Sequence, residues 1–167
     1  MSSVIAETKT KTSETGQGSK ASEPMAQVFD LKTQLLSGGK LTDVKCRTDM
    51  MTVAMKCHAE GGENSLHSHV REDHVFVVLQ GEATFHIGRE EKEVVLHAHQ
   101  GMLIPRGAYY RFESTGKENL VQLRVGAGIG GADLMNHRKD VRGEDLDPHS
   151  AADHYADPVP LPGKFFK

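Results

Sequence analysis

The chain is predicted to fold as a single all-β domain, a sandwich or barrel of antiparallel strands. Three observations lead there. Residues 44 to 125 are a succession of short apolar, β-branched segments. Turns rich in glycine or charge separate them at short intervals. No helical period runs through the region, and no repeat of solenoid length is present.

The elements follow in chain order. Residues 1 to 24 are mostly Ser, Thr, Lys, Glu and Gly. Such a segment buries too little surface to offset its ordering entropy and is expected to be disordered. "MAQVFDLKTQLL", 25 to 36, reads as a short strand or one to two helical turns, broken by "SGGK". "VKCRT" and "MTVAMKCHA" alternate partly, as strands with one buried face do. "HVFVVLQG" is a continuous apolar run, the mark of a strand packed on both faces. "EATFHIG" alternates, and the charged turn "REEKE" leads to "VVL". "GMLIPRG", "YYRFES" and "LVQLRV" complete the set. The barrel domain is therefore placed at residues 25 to 125. Residues 126 to 167 are rich in Gly, Asp, His and Pro and read as a long irregular extension with at most one helical turn. It ends in "GKFFK", whose paired phenylalanines need an apolar surface to dock on, on the same barrel or on a second subunit.

Bulk properties exclude several classes. A chain of 167 residues supports one domain with flexible ends, and an apolar content of 37% leaves part of it outside any core. The net charge of −3 and the absence of a Lys/Arg block argue against a nucleic-acid partner. No apolar run approaches the ~20 residues of a membrane span, so no membrane partner is expected. The N-terminus lacks the pattern of a signal or transit peptide, and Cys46 and Cys57 read as reduced thiols, which together make the cytoplasm the expected location.

The chemistry concentrates in "GGENSLHSHVREDHVFVVLQG", residues 61 to 81. On a strand, residues i and i+2 share a face, so His67 and His69 aim into one space about 7 Å apart along the strand. That separation lets two imidazoles converge on one ion at about 2.1 Å each. His74, at the head of the apolar strand, reaches the same ion if the chain turns at "VRED". Gly61 and Gly62 bracket the cluster upstream and Gly81 downstream. Neutral imidazoles in a dry place attract a divalent cation. The second histidine pair, His97 and His99, reads as a solvated loop feature.

The same stretch resembles the cupin superfamily. Gly61 is followed by five residues and then by His67 and His69. His74 stands at the position of the family's glutamate, and Gly81 follows at the family's spacing. In the second motif Pro105 and Gly107 match, while Tyr110 stands where the family has histidine. The resemblance implies a jelly-roll β-barrel, a mononuclear metal site and a homodimer. Carried over position by position, the ligands are His67, His69 and His74, with Tyr110 either a fourth ligand, as a phenolate, or a protonated hydrogen-bonding and acid–base group. Asp73 is the reserve ligand, and Glu63 is a candidate neighbour of the site, although both also fit solvated turns. By alternation from an inward Tyr110, Phe112 points inward and Arg111 outward. Gln122 and Arg124 share one face and would bind a substrate carboxylate or carbonyl if that face lines the barrel. Otherwise they are surface strand residues. A neutral three-histidine site leaves the dication's charge uncompensated and favours a small anionic substrate.

Three functions follow from the resemblance. One is an Fe(II) dioxygenase. Another is a non-redox isomerase, lyase or cyclase with Zn, Mn or Ni as Lewis acid and Tyr110 as acid or base, while Cu is a further metal the site would accept in place of the favoured iron. The third is a small-ligand-binding cupin without turnover. Fold alone does not choose among them. The segment from Val28 to Leu36 and the C-terminal phenylalanines are the expected dimer contacts.

Overall fold

The computed structural model describes residues 25–59, 64–128 and 137–167. Twelve strands and one 3-10 turn make up the regular structure of the described residues. The strands are β1 (Thr33–Gly38), β2 (Lys40–Arg47), β3 (Met51–His58), β4 (His67–His69), β5 (Glu72–Gln80), β6 (Glu82–Ile87), β7 (Lys92–His97), β8 (Gly101–Ile104), β9 (Tyr109–Ser114), β10 (Leu120–Gly128), β11 (Arg138–Asp140) and β12 (Val159–Phe166). All described pairings are antiparallel.

Two five-stranded sheets carry the domain, in the orders β2-β3-β10-β5-β8 and β11-β4-β9-β6-β7. Their inner faces meet around Phe76 and Val78 of β5, Phe85 of β6, Ile104 of β8, Tyr110 and Phe112 of β9 and Leu120 of β10. The aromatic rings of Phe76, Phe85 and Phe112 pack with centroids 5.2–5.7 Å apart. Burying a side chain of that size contributes about 1.5–3 kcal/mol, so this cluster fixes the separation of the sheets at one end of the barrel. The other end holds polar side chains.

The hairpin from β5 to β6 turns at Gly81, whose φ of 78° lies in the left-handed region. A Cβ there would stand 2.8 Å from the Asn119 carbonyl, so both backbone and space call for glycine.

Residues 25–32 form no strand or helix, and the segment becomes β1 at Thr33. β1 pairs with β12 as a separate two-stranded sheet. Leu36 of β1, Met55, Cys57 and Val121 form a second apolar cluster on the outer face of β3 and β10, and Phe166 packs against it. The C-terminal phenylalanines thus dock on the same chain. Phe165 stays 40% exposed, with the Lys32 ammonium 4.4 Å from its ring centre.

The C-terminal extension departs from the irregular course expected of it in two places. β11 pairs with β4 and covers that strand's edge, and β12 closes on β1. Between them the chain is irregular apart from the 3-10 turn Ala151–Asp153. The sequence did not show this because Gly and Pro mark the extension as a loop, whereas its strands exist only through partners more than sixty residues away. The expected disorder of residues 1–24, the Gly61–Gly62 bracket and Glu63 lie outside the described residues. Among the described residues no helix is long and apolar enough to cross a membrane.

Candidate metal centre

β4 lies in one sheet and β5 in the other, so the chain crosses between the sheets at the exposed residues Val70 and Arg71. The crossing brings the ends of both strands into the polar end of the barrel. His67, His69, Glu72 and His74 are all at most 4% exposed there. The rings of His69 and His74 are 4.2 Å apart and those of His67 and His69 are 5.1 Å apart.

The tight trio is His69, Glu72 and His74, whose donor atoms all lie within 4.8 Å of one another. Glu72 Oε1 is 2.7 Å from His74 Nε2 and 3.1 Å from His69 Nδ1. Donors in neighbouring positions around one ion, each about 2.1 Å from it, stand about 3 Å apart, so these spacings match a coordination shell. The chemistry also fits. Two neutral imidazoles and a carboxylate suit iron, zinc, nickel or copper. His67 Nε2 and Glu72 Oε2 are buried without a hydrogen-bond partner among the described residues, the condition of groups arranged for something else.

Burial determines protonation. It is the main force pulling His69 down to about 3 and His74 down to about 4, opposed by the neighbouring Glu72 carboxylate. It also depresses His67, helped by Arg138. All three are therefore neutral and able to donate a lone pair at neutral pH. Burial pushes the Glu72 carboxyl up, but His69, His74 and Arg124 together outweigh it and hold the group ionised.

Glu72 is the residue that reading the sequence missed. The signal was available: strand parity puts Glu72 on the same face as His74 and Asp73 on the opposite one. Asp73, the reserve ligand, does turn outward and accepts the Arg106 backbone N–H at 2.7 Å. Glu72 also needs room. A Cβ on Gly126, the register partner of His74 on β10, would stand 2.3 Å from Glu72 Oε2, so only glycine there lets the carboxylate lie across that strand.

The other expected residues fall as follows. His67 borders the trio, its Nδ1 on the Ser65 carbonyl at 2.7 Å. Tyr110 is the register partner of His67, and its hydroxyl lies 2.9 Å from His74 Nδ1. Burial pushes the Tyr110 phenol above its ordinary value, so it keeps its proton and acts on His74 as a neutral hydroxyl. Gln122 and Arg124 line the barrel rather than its surface, at 0% and 3% exposure. Both polar atoms of the Gln122 amide are without partners among the described residues. Arg124 Nη2 reaches Glu72 Oε1 at 2.5 Å and His74 Nε2 at 2.6 Å, and so supplies the counter-charge of the carboxylate. Arg111 points outward to Glu91 and Glu113, and Phe112 inward. His97 and His99 are exposed, and His99 has a φ of 71° in the turn before β8.

Comparison with known proteins agrees with this architecture. Residues 55–126 match the family described as "Cupin domain". A mannose-1-phosphate guanylyltransferase of Sinorhizobium fredii (strain NBRC 101917 / NGR234) is 32% identical over 82 residues, 48% of this chain. The chain spans only 16% of the length of that relative. A protein with a double-stranded β-helix domain from Klebsiella pneumoniae subsp. pneumoniae superposes with a TM-score of 0.56 at 20% identity, over 65% of this chain and 95% of that one. A conserved protein of unknown function from Streptococcus pyogenes gives 0.53 at 19% identity, over 65% and 93%. The cupin domain of Cnp3 from Schizosaccharomyces pombe gives 0.50 at 17% identity, over 53% and 61%. At these identities the structural likenesses speak for the fold alone. Residues 55–126, which carry the whole trio, match the cupin domain family, and the barrel around them has the cupin jelly-roll fold.

Proposed function

We propose that this protein is a mononuclear metal-dependent oxygenase, a dioxygenase, that acts on a small anionic organic substrate with Fe(II) held by His69, Glu72 and His74. The observation that carries the reading is the buried trio of two imidazoles and one carboxylate, the donor set of non-haem Fe(II) oxygenases. His67, whose Nε2 has no partner among the described residues, is the adjacent fourth donor. Iron bound there supplies O2 activation next to the substrate.

The remaining work falls to the protein. Arg124 carries positive charge at the centre, and its Nη1, buried without a partner among the described residues, is left to take an acidic group of the substrate. Gln122, with a donor and an acceptor both unengaged among the described residues, orients a carbonyl or carboxylate. Tyr110 holds its proton at Oη and fixes the His74 ring through Nδ1. Phe76 and Phe112 wall off the apolar end of the barrel, and dryness there strengthens each charged contact.

The test is anaerobic reconstitution with Fe(II), then oxygen uptake on a panel of enolisable diketones and catechol-like acids. Uptake that needs both iron and one substrate class is expected. Protein that copurifies with zinc and turns over a substrate without O2 would replace the oxygenase with a Lewis-acid isomerase or lyase. A tightly held, chemically unchanged metabolite would replace both with a binding role. We also propose a cytoplasmic homodimer. Both cysteines are free, and Val28, Leu31, Val159 and Phe165 leave apolar surface exposed around the β1–β12 pair.

A further inference from the structure

Beside the trio, a cavity of about 350 Å3 opens between β2, β3 and the C-terminal extension. Lys40, Lys56, His58, Arg138, His149 and Tyr155 line it, and none of the described residues lining it is acidic. Asp153, fully buried behind it in the 3-10 turn, takes Arg138 at 2.5 Å and Lys40 at 3.9 Å. Ser65 also binds Asp153, through its hydroxyl at 3.0 Å. Among the described residues, Lys40, Lys56 and Arg138 meet one carboxylate there, that of Asp153.

Lys56 is the odd member. It is 9% exposed, and no hydrogen bond or ion pair ties its ammonium to another described residue. Its closest favourable contact is the Phe112 ring, with the centroid 5.9 Å away. A buried ammonium without a partner is expensive unless something else supplies the counter-charge. Arg138 repeats the pattern, since its Nε is buried and without a partner among the described residues. Each is also wired to the metal centre through the sheets. Lys56 is the register partner of Gln122 on β10, and Arg138 is the register partner of His69 on β4.

We propose that this cavity binds a doubly charged oxyanion, the phosphate or dicarboxylate end of the substrate, between Lys56, Arg138 and Lys40. The inference rests on the reading above for what the rest of the molecule meets, namely the trio, while the anion site itself needs no metal. Phosphate and dicarboxylate share the charge and the acceptor oxygens that two cations recognise. Only their shape separates them. Because Arg138 belongs to the C-terminal extension, that extension is a working wall of the site.

The experiment is isothermal titration of the full-length, chelator-treated protein with inorganic phosphate, succinate and acetate, in a buffer free of other polyanions. Saturable binding of phosphate or succinate, at least tenfold tighter than acetate, is expected. The tighter of the two identifies the substrate end. Lys56→Met is expected to weaken that binding at least tenfold and Lys56→Arg to restore most of it, with circular dichroism unchanged. Lys40→Met is a second variant should Lys56→Met fold poorly, and it is expected to weaken the dianion more than acetate. Dianions bound no tighter than acetate would overturn the proposal, as would unaltered affinity in both lysine variants. Binding seen only after metal loading would overturn it too, because the anion would then sit on the metal. Glu72→Gln separates the two readings: it is expected to lose the metal and keep the anion. If metal content survives Glu72→Gln while phosphate still binds, the trio falls and the anion site stands.

Discussion

Lys56→Met should make the fold more stable while it disarms the anion site, and the size of the gain should depend on pH in a stated way. Burial, then Arg138, Arg124 and Lys40, depress the Lys56 ammonium well below its ordinary 10.5, and Asp153 offsets this only in part. The unfolded chain holds that proton up to about pH 10.5, whereas the native protein releases it earlier. Between the two values the unfolded state binds more protons. Native stability therefore climbs as pH rises, by up to about 1.4 kcal/mol per pH unit from this one group. Methionine fills a similar volume and carries no proton. The variant is expected to exceed the natural protein by on the order of 1–4 kcal/mol at neutral pH, the usual gain when a buried charge gives way to an apolar side chain. The difference should shrink as pH rises toward 10.5. Burial also raises Cys57 to about 11, but that group acts alike in both proteins and cancels in the comparison. Urea unfolding followed by circular dichroism, from pH 6.5 to 9.5 in polyanion-free buffer, measures the difference. Two stability curves that run parallel with pH, or a variant weaker at every pH, would show that the Lys56 ammonium is already compensated.

Glu72→Gln should reduce divalent-metal affinity by at least about 100-fold, read by elemental analysis after dialysis, because it removes the carboxylate that touches both His69 and His74. On acidification, stability should begin to fall below about pH 6.5. His69 and His74 titrate in the native state at about 3 and about 4, so the unfolded chain takes up protons first, and replacing either by Gln should flatten the fall. Tyr110→Phe should cost about 1–3 kcal/mol in urea unfolding by leaving His74 Nδ1 buried without its hydroxyl. Fe(III)-loaded natural protein should show no visible phenolate charge-transfer band, because the Tyr110 hydroxyl is engaged with His74 Nδ1 rather than aimed at the trio's donor atoms. Deleting residues 164–167 should lower the apparent mass on a sizing column from dimer to monomer, and an unchanged elution volume would remove this terminus from the interface.

Reading along the chain was enough for the class of fold and for the nearness of His67, His69 and His74, while the barrel reached beyond its expected span, because β11 of the extension joined one of its sheets. Those features rest on short-range rules: a period of two along a strand, glycine at turns, an apolar run where both faces are covered. The same period held Glu72 on the face of His74, yet choosing it over Asp73 needed the partner strand, since only Gly126 opposite His74 makes room for its carboxylate. Gln122 and Arg124 were legible as sharing a face, but not as facing inward. That was decided when β10 took the centre of its sheet between β3 and β5. Lys56 and Arg138 carried no local signal at all. They meet across a cavity because β3 pairs with β10 and β11 pairs with β4, and such pairings are settled by the burial of whole sheet faces rather than by any residue's neighbours in sequence.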